Sequence, residues 1–153
     1  MIFALLAVFA GGAIAVQASM NAQLGGLLKS PILAAGVAFT VSACYAFIAF
    51  RVSDNALPAA SELKAVPWYL WCLGGVLSAT GVGLCYFLIP KMGIGNLMAY
   101  YLCGQMVVAM IIGQLGLFGV PQTPINLQKV VGVVAVLTGI VLINVNRLKL
   151  HHL

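Results

Sequence analysis

Three amide side chains lie deep inside long uncharged stretches of the sequence and are its strongest candidates for binding chemistry. Gln17 and Asn21 are four residues apart, so a helix places both on one face, and Gln105 lies in a later stretch. An amide in hydrocarbon is costly unless it is hydrogen-bonded, so each must face protein, water or a solute. We predict that the three converge on a cavity and offer donors and acceptors to a small solute. Hydrogen bonding between helices is the alternative.

Tyrosine side chains accompany these amides. Tyr100 and Tyr101 precede Gln105 by about one helical turn, and Tyr86 lies in a preceding stretch. Aromatic rings can hold a cationic solute without a buried countercharge. The predicted substrate-binding residues are therefore Gln17, Asn21, Tyr86, Tyr100, Tyr101 and Gln105.

Side chains for catalysis or for cofactors are missing from the same stretches. No carboxylate, lysine, arginine or histidine falls at their mid-depth, and no nucleophile, nucleotide or metal motif is present. The four cysteines show no CxxC or Cys/His spacing. We predict no enzyme activity, no cofactor, no metal site and no nucleic-acid partner. His151 and His152 are interpreted as a disordered end or a non-native remnant.

The elements that must position these residues are predicted from charge and hydropathy. Nine charged residues divide the 153-residue chain into five long uncharged stretches. Only 6% of residues are charged, whereas about a quarter are charged in a soluble domain. Each stretch approaches or exceeds the ~17–25 residues that a membrane-crossing helix needs. We predict an all-α, polytopic membrane helix bundle, a single domain over residues 1–153. Its five spans are residues 2–24, 31–50, 68–89, 96–117 and 125–146, with a polar loop at 51–67.

Prolines mark several span boundaries. Pro31 suits the first turn of the second span, and Pro90 with Lys91 is predicted to close the third. Thr123 followed by Pro124 has the chemistry of an N-cap and a first helical residue, so it is predicted to start the fifth span.

Small residues recur at four-residue spacing within the spans. Gly11-x-x-x-Ala15 continues to Ser19, and Gly75-x-x-x-Ala79 continues to Gly83. Helices in lipid associate by close backbone approach, so such strips predict contacts with neighbouring helices.

The basic residues are nearly balanced between the two membrane faces. Five spans place three of them on the N-terminal side and four on the other. By the positive-inside rule, so weak a bias predicts insertion in both orientations or pairing with a partner of fixed orientation. The alternative is that Arg147 and Lys149, close to the last span, select one orientation.

Several short motifs follow one another along the chain. They are Gln17-x-x-x-Asn21-x-x-Leu24, Ser30-Pro31, Pro67-Trp68 with Gly74-Gly75, Pro90-x-x-Gly93, Gly104-Gln105, and Gly116-Leu117-Phe118-Gly119 before Pro121. In this order they resemble the YdcZ-type branch of the drug/metabolite transporter superfamily over the whole chain. The resemblance implies five-span units that pair in an antiparallel manner in a bacterial inner membrane, as a homodimer or with a homologous subunit.

The resemblance also implies an acidic residue and a histidine just before the Gly-Leu-Phe-Gly element. Gly113 and Gln114 occupy these positions here, which argues against proton coupling through them.

Together these features predict a small-molecule transporter embedded in the bilayer. As an antiparallel homodimer it would alternate access around a mid-membrane cavity at its interface. Two other classes stay open. One is a membrane assembly or regulatory subunit that moves nothing, and the other is a lipid-handling protein with a polar groove open to the bilayer.

Overall fold

The computed structural model describes residues 1–53 and 56–150, with side chains described as far as residue 142. A short 3-10 turn, Leu117–Gly119, follows the fifth helix. The described residues contain no β-strand, which confirms the predicted all-α class. The helices are α1 (Ile2–Leu27), α2 (Pro31–Val52), α3 (Ala60–Ala65), α4 (Trp68–Met92), α5 (Ile94–Leu115) and α6 (Leu127–Leu150).

Four of these helices, α1, α2, α4 and α5, are long and apolar enough to cross a membrane. In α6 the described residues form a shorter apolar helix, Leu127–Leu142. The chain is therefore a multi-pass membrane protein. The side chains of Asn144, Arg147 and Lys149 and the His151 and His152 tail lie outside the described residues.

The start of α2 follows the expected chemistry. Ser30 is extended, with φ −153° and ψ 103°, and its Oγ accepts a hydrogen bond from the backbone N–H of Leu33 at 3.2 Å. Pro31 occupies the first helical position, where its missing N–H costs nothing. The chain therefore reverses direction between α1 and α2 within three residues, Leu28 to Ser30.

Proline does not close the third long helix as predicted. Pro90 lies inside α4, which continues to Met92. Because Pro90 has no N–H, it cannot donate to the carbonyl of Tyr86, but only one such bond is lost so close to the helix end. The helix ends instead at Met92, because the following Gly93 has a φ of +81°, which residues with a side chain rarely adopt.

The last helix also begins later than predicted. The N–H of Thr123 donates to the carbonyl of Gly113 at 2.9 Å, which holds this part of the chain against α5 and keeps it non-helical. Asn126 is the cap instead, since its Oδ1 accepts from the N–H of Lys129 at 2.9 Å. Thr123 and Pro124 are therefore loop residues, and α6 starts at Leu127.

The chain divides into two compact units, Met1–Lys91 and Met92–Leu153. In the first unit, α1 packs on α2 through small residues. A Cβ atom added to Gly25 would lie 3.3 Å from the Cα of Pro31, so the two backbones nearly touch there. In the second unit, α5 packs on α6. The buried small residues of the α1 and α2 contact are Ala18, Ala22, Gly25, Ala34 and Ala35.

The predicted strips of small residues stay open within the chain. A Cβ atom added to Gly11, Gly75, Gly83 or Gly104 would meet nothing within 4 Å. Close packing between α1 and α2 therefore depends on Gly25, whereas Gly11, Gly75 and Gly104 are exposed positions at which an added Cβ atom meets no described atom.

Candidate functional site

A buried tyrosine hydroxyl joins two of the predicted amides. Tyr86 of α4 is only 1% exposed. Its hydroxyl oxygen accepts hydrogen bonds from Nε2 of Gln17 at 3.1 Å and from Nδ2 of Asn21 at 3.0 Å. We call these three residues the amide–tyrosine cluster. The structure thus brings together half of the predicted binding residues, all from the first unit.

Helical geometry explains why both amides reach one hydroxyl. Gln17 and Asn21 are one turn apart on α1, so their side chains leave the helix in nearly the same direction. Ala18 and Ala22 each follow one of these amides directly, and both are buried. The face of α1 that carries the amides is therefore turned toward the rest of the first unit. The sequence predicted this shared face, and the structure adds Tyr86 as the acceptor.

The cluster retains unused hydrogen-bonding capacity. A phenolic oxygen that accepts two bonds still carries its own O–H proton as a donor. In the described part of the chain, no hydrogen bond is made to Oε1 of Gln17 or to Oδ1 of Asn21. Gln17 is exposed and Asn21 is half-buried, so other groups can reach them. One hydroxyl donor and two carbonyl acceptors therefore remain uncommitted.

The same two hydrogen bonds also agree with the alternative interpretation, in which the amides only hold helices together. Both amide nitrogens bond across to another helix, as expected of polar residues that hold a membrane bundle together. A binding role therefore has to come from the uncommitted hydroxyl proton and amide oxygens.

The other three predicted residues belong to α5, in the second unit. Tyr101 is half-buried, whereas Tyr100 and Gln105 are exposed. Tyr100 borders a cavity of about 380 Å³, which is also lined by Cys103, Thr138 and Ile140. Gln105 makes no hydrogen bond with any described residue. Its role in substrate binding remains a prediction, as do those of Tyr100 and Tyr101.

A second polar constellation was not predicted from the sequence. Oε1 of Gln114 accepts from the N–H of Ile125 at 2.6 Å. The ammonium group of Lys129 donates to the carbonyls of Thr123 at 3.3 Å and of Pro124 at 3.0 Å. These bonds tie the loop before α6 to the end of α5 and to the first turn of α6. From the sequence, Lys129 counts only as one of the three basic residues on the N-terminal side of the membrane.

Gly113 belongs to the same constellation. A Cβ atom there would lie 2.6 Å from Oγ1 of Thr123, closer than any real contact. An acidic side chain, which the resemblance implies at this position, would therefore require Thr123 to move.

Among the described residues, no group of three or more histidine, cysteine, aspartate or glutamate side chains could hold a metal ion. The chemistry available to the cluster is hydrogen bonding by a hydroxyl and amides.

Comparison with known proteins identifies a family. A family model described as "Putative inner membrane exporter, YdcZ", of the drug/metabolite transporters, matches residues 2–142. No curated protein and no solved structure matches the chain. The family description names exporters and not enzymes.

Proposed function

We propose that this chain, which belongs to the YdcZ family of inner membrane exporters, moves a small polar solute across the membrane with the amide–tyrosine cluster in its binding site. The protein is a multi-pass protein of the inner membrane. In the proposed cycle, two antiparallel copies with five crossings each alternate access around a cavity at their interface.

The observation that carries the proposal is the unused capacity of the cluster. Tyr86, Gln17 and Asn21 keep one hydroxyl donor and two carbonyl acceptors free at the depth of a membrane span. The carbonyl oxygens of the exposed Gln17 and the half-buried Asn21 would be costly in contact with lipid, so a polar solute or water meets them during the proposed cycle. Two carbonyl acceptors favour a solute that itself carries N–H or O–H groups, including an amine.

Open surfaces support the assembly of two copies. Gly104 on α5 has no neighbour within 4 Å of an added Cβ atom, and Gln105 lies beside it without a partner among the described residues. A second copy packed on this surface would cover Gln105 and let the backbones approach closely. The nearly even charge balance permits the copy to be inverted.

The length of α6 supports a fifth crossing. It has 24 residues, and its uncharged part, residues 130–146, has 17 residues, which reaches the lower end of the ~17–25 that a crossing needs. Five crossings would place the two termini on opposite faces of the membrane.

Transport can be tested with purified protein. A panel of small amines, amides and polyols is first screened for thermal stabilisation of the protein in detergent. Counterflow of each stabilising solute is then measured in proteoliposomes. We expect Tyr86→Phe and Gln17→Ala to slow counterflow about tenfold, which corresponds to the loss of one buried hydrogen bond.

Matched variants control for general damage. Tyr45 is exposed on α2, and the hydroxyl of Thr40 bonds within its own helix to the carbonyl of Gly36 at 2.8 Å. Tyr45→Phe and Thr40→Val should therefore transport normally. If folded Tyr86→Phe and Gln17→Ala proteins transport as well as these controls, the cluster is not the site. If no solute of the panel is carried, the membrane-assembly alternative is favoured.

A further inference from the structure

We infer that the groove between the start of α2 and residues Ala79 to Phe87 of α4 binds an anionic phospholipid, with an acyl chain in the groove and the phosphate at Lys91. This site is separate from the amide–tyrosine cluster, and the inference does not depend on transport. The groove has a volume of about 520 Å³ and is lined by Pro31, Ile32, Ala79, Gly83, Leu84 and Phe87, with one hydroxyl residue, Thr80.

The shape of the groove suits a hydrocarbon chain. Along α4 it extends from Ala79 to Phe87, which at 1.5 Å per residue is roughly 12 Å from mid-helix toward the membrane surface. An added Cβ atom at Gly83 would meet nothing within 4 Å, so the floor of the groove is open. Ile32 is 81% exposed, so the groove opens toward the bilayer.

The lining offers nothing to a polar solute. Oγ1 of Thr80 donates to the carbonyl of Val76 at 2.9 Å, so the hydroxyl of the groove is already bonded within α4. The other lining residues are apolar, and one of them, Gly83, has no side chain. An occupant therefore has to be apolar over the length of the groove.

A positive charge stands at the end of the groove. Ala79, Gly83, Phe87 and Lys91 follow one another at four-residue spacing, so they lie on one face of α4. The ammonium group of Lys91 lies 4.0 Å from the centre of the Phe87 ring, which borders the groove. Lysines at helix ends reach the headgroup level of a bilayer in this way.

Charge complementarity identifies the headgroup. Lys29 is exposed two residues before Pro31, which lines the groove. Glu62 is the single acidic side chain among the described residues, and it lies in α3, which precedes the opposite end of α4. No described carboxylate therefore neutralises Lys91, and a phosphate beside it would meet an uncompensated positive charge.

Native mass spectrometry of the full chain provides the test. The purified protein is mixed with equal amounts of phosphatidylglycerol and phosphatidylcholine that carry the same acyl chains. We expect the wild type to retain phosphatidylglycerol preferentially, and Lys91→Gln to lower this retention about fivefold, the usual effect of one lysine. Gly83→Leu should lower retention of both lipids because it fills the groove. Lys64→Gln, in α3, is the matched charge control and should behave as wild type.

Equal retention of the two lipids by the wild type, or an unchanged preference in Lys91→Gln, would overturn the inference. The other possible occupant is a helix of a second copy. With Leu84 replaced by p-benzoylphenylalanine in phosphatidylglycerol vesicles, illumination should attach lipid to the chain. A covalent protein dimer in place of the lipid adduct would show that a second copy fills the groove.

Discussion

The hydroxyl oxygen of Tyr86 lies 3.0 Å from Nδ2 of Asn21, and this hydrogen bond joins α4 to α1. The contact differs in kind from that between α1 and α2, where Gly25 lets two backbones meet. Small residues allow two helices to approach closely. Polar residues determine which helix lies opposite, because an amide without a hydrogen bond in hydrocarbon is costly. The position of α4 beside α1 is therefore specified by side chains that also have hydrogen-bonding capacity to spare.

Removal of the Tyr86 hydroxyl should weaken the first unit. In Tyr86→Phe, the amide nitrogens of Gln17 and Asn21 lose their common acceptor. We expect a loss of about 1–2 kcal/mol in the free energy of unfolding, measured by titration with denaturing detergent. Tyr45→Phe removes an exposed hydroxyl in the same unit and should leave the midpoint of the detergent titration unchanged. Equal midpoints for the two variants would contradict the role given to this bond.

The contact of α1 with α2 should be sensitive to one glycine and not to its neighbour. Leucine at Gly25 would push against the Cα of Pro31, which lies 3.3 Å from an added Cβ, and against Ala34 at 3.5 Å. We expect Gly25→Leu to lower the free energy of unfolding by about 1–3 kcal/mol. Gly26 has nothing within 4 Å, so Gly26→Leu should be nearly neutral. Comparable loss in both variants would indicate a helix effect and not a packing effect.

The sequence predicted the elements more fully than the contacts between them. Hydropathy and charge located the helices, and the four-residue spacing placed Gln17 and Asn21 on one face. Spacing cannot identify the helix opposite that face, so Tyr86 was predicted as an aromatic surface for a solute and not as the acceptor of both amides. The bond spans 69 residues of sequence between Gln17 and Tyr86, and only the packed chain reveals it.

The path of the loop between α5 and α6 could not be predicted from the sequence, for a different reason. Its path depends on a run of left-handed residues after α5, which includes Phe118 with φ +57° as well as Gly116 with φ +63°. A phenylalanine rarely adopts this conformation, so no turn rule indicates it. The helix start predicted at Thr123 followed local cap preferences, but the bond from Thr123 to Gly113 is a longer-range interaction that overrides them.

The contact of Gly113 with Thr123 can be tested by a pair of substitutions. In Gly113→Ala the new methyl would lie 2.6 Å from Oγ1 of Thr123 and push the loop away from α5. We expect a loss of about 1–3 kcal/mol in stability, measured by denaturing-detergent titration. Thr123→Ala removes the opposing atom, so the double variant should recover most of the loss. Gly95→Ala, also in α5, has open space and serves as control. If the double variant is no more stable than Gly113→Ala, the contact with Thr123 is not the cause of the loss.

Orientation in the membrane should respond to single charges if the basic residues are balanced as the sequence indicates, three against four. Fusions of a fluorescent protein and of alkaline phosphatase to the C-terminus report its cytoplasmic and periplasmic locations. For the wild type we expect both signals. By the positive-inside rule, Ser53→Lys adds charge on the N-terminal side and should shift the C-terminus to the periplasm. Leu28→Lys adds charge on the other side and should shift the C-terminus to the cytoplasm. A C-terminus that stays on one face in all three proteins would exclude an inverted homodimer and favour a partner of fixed orientation.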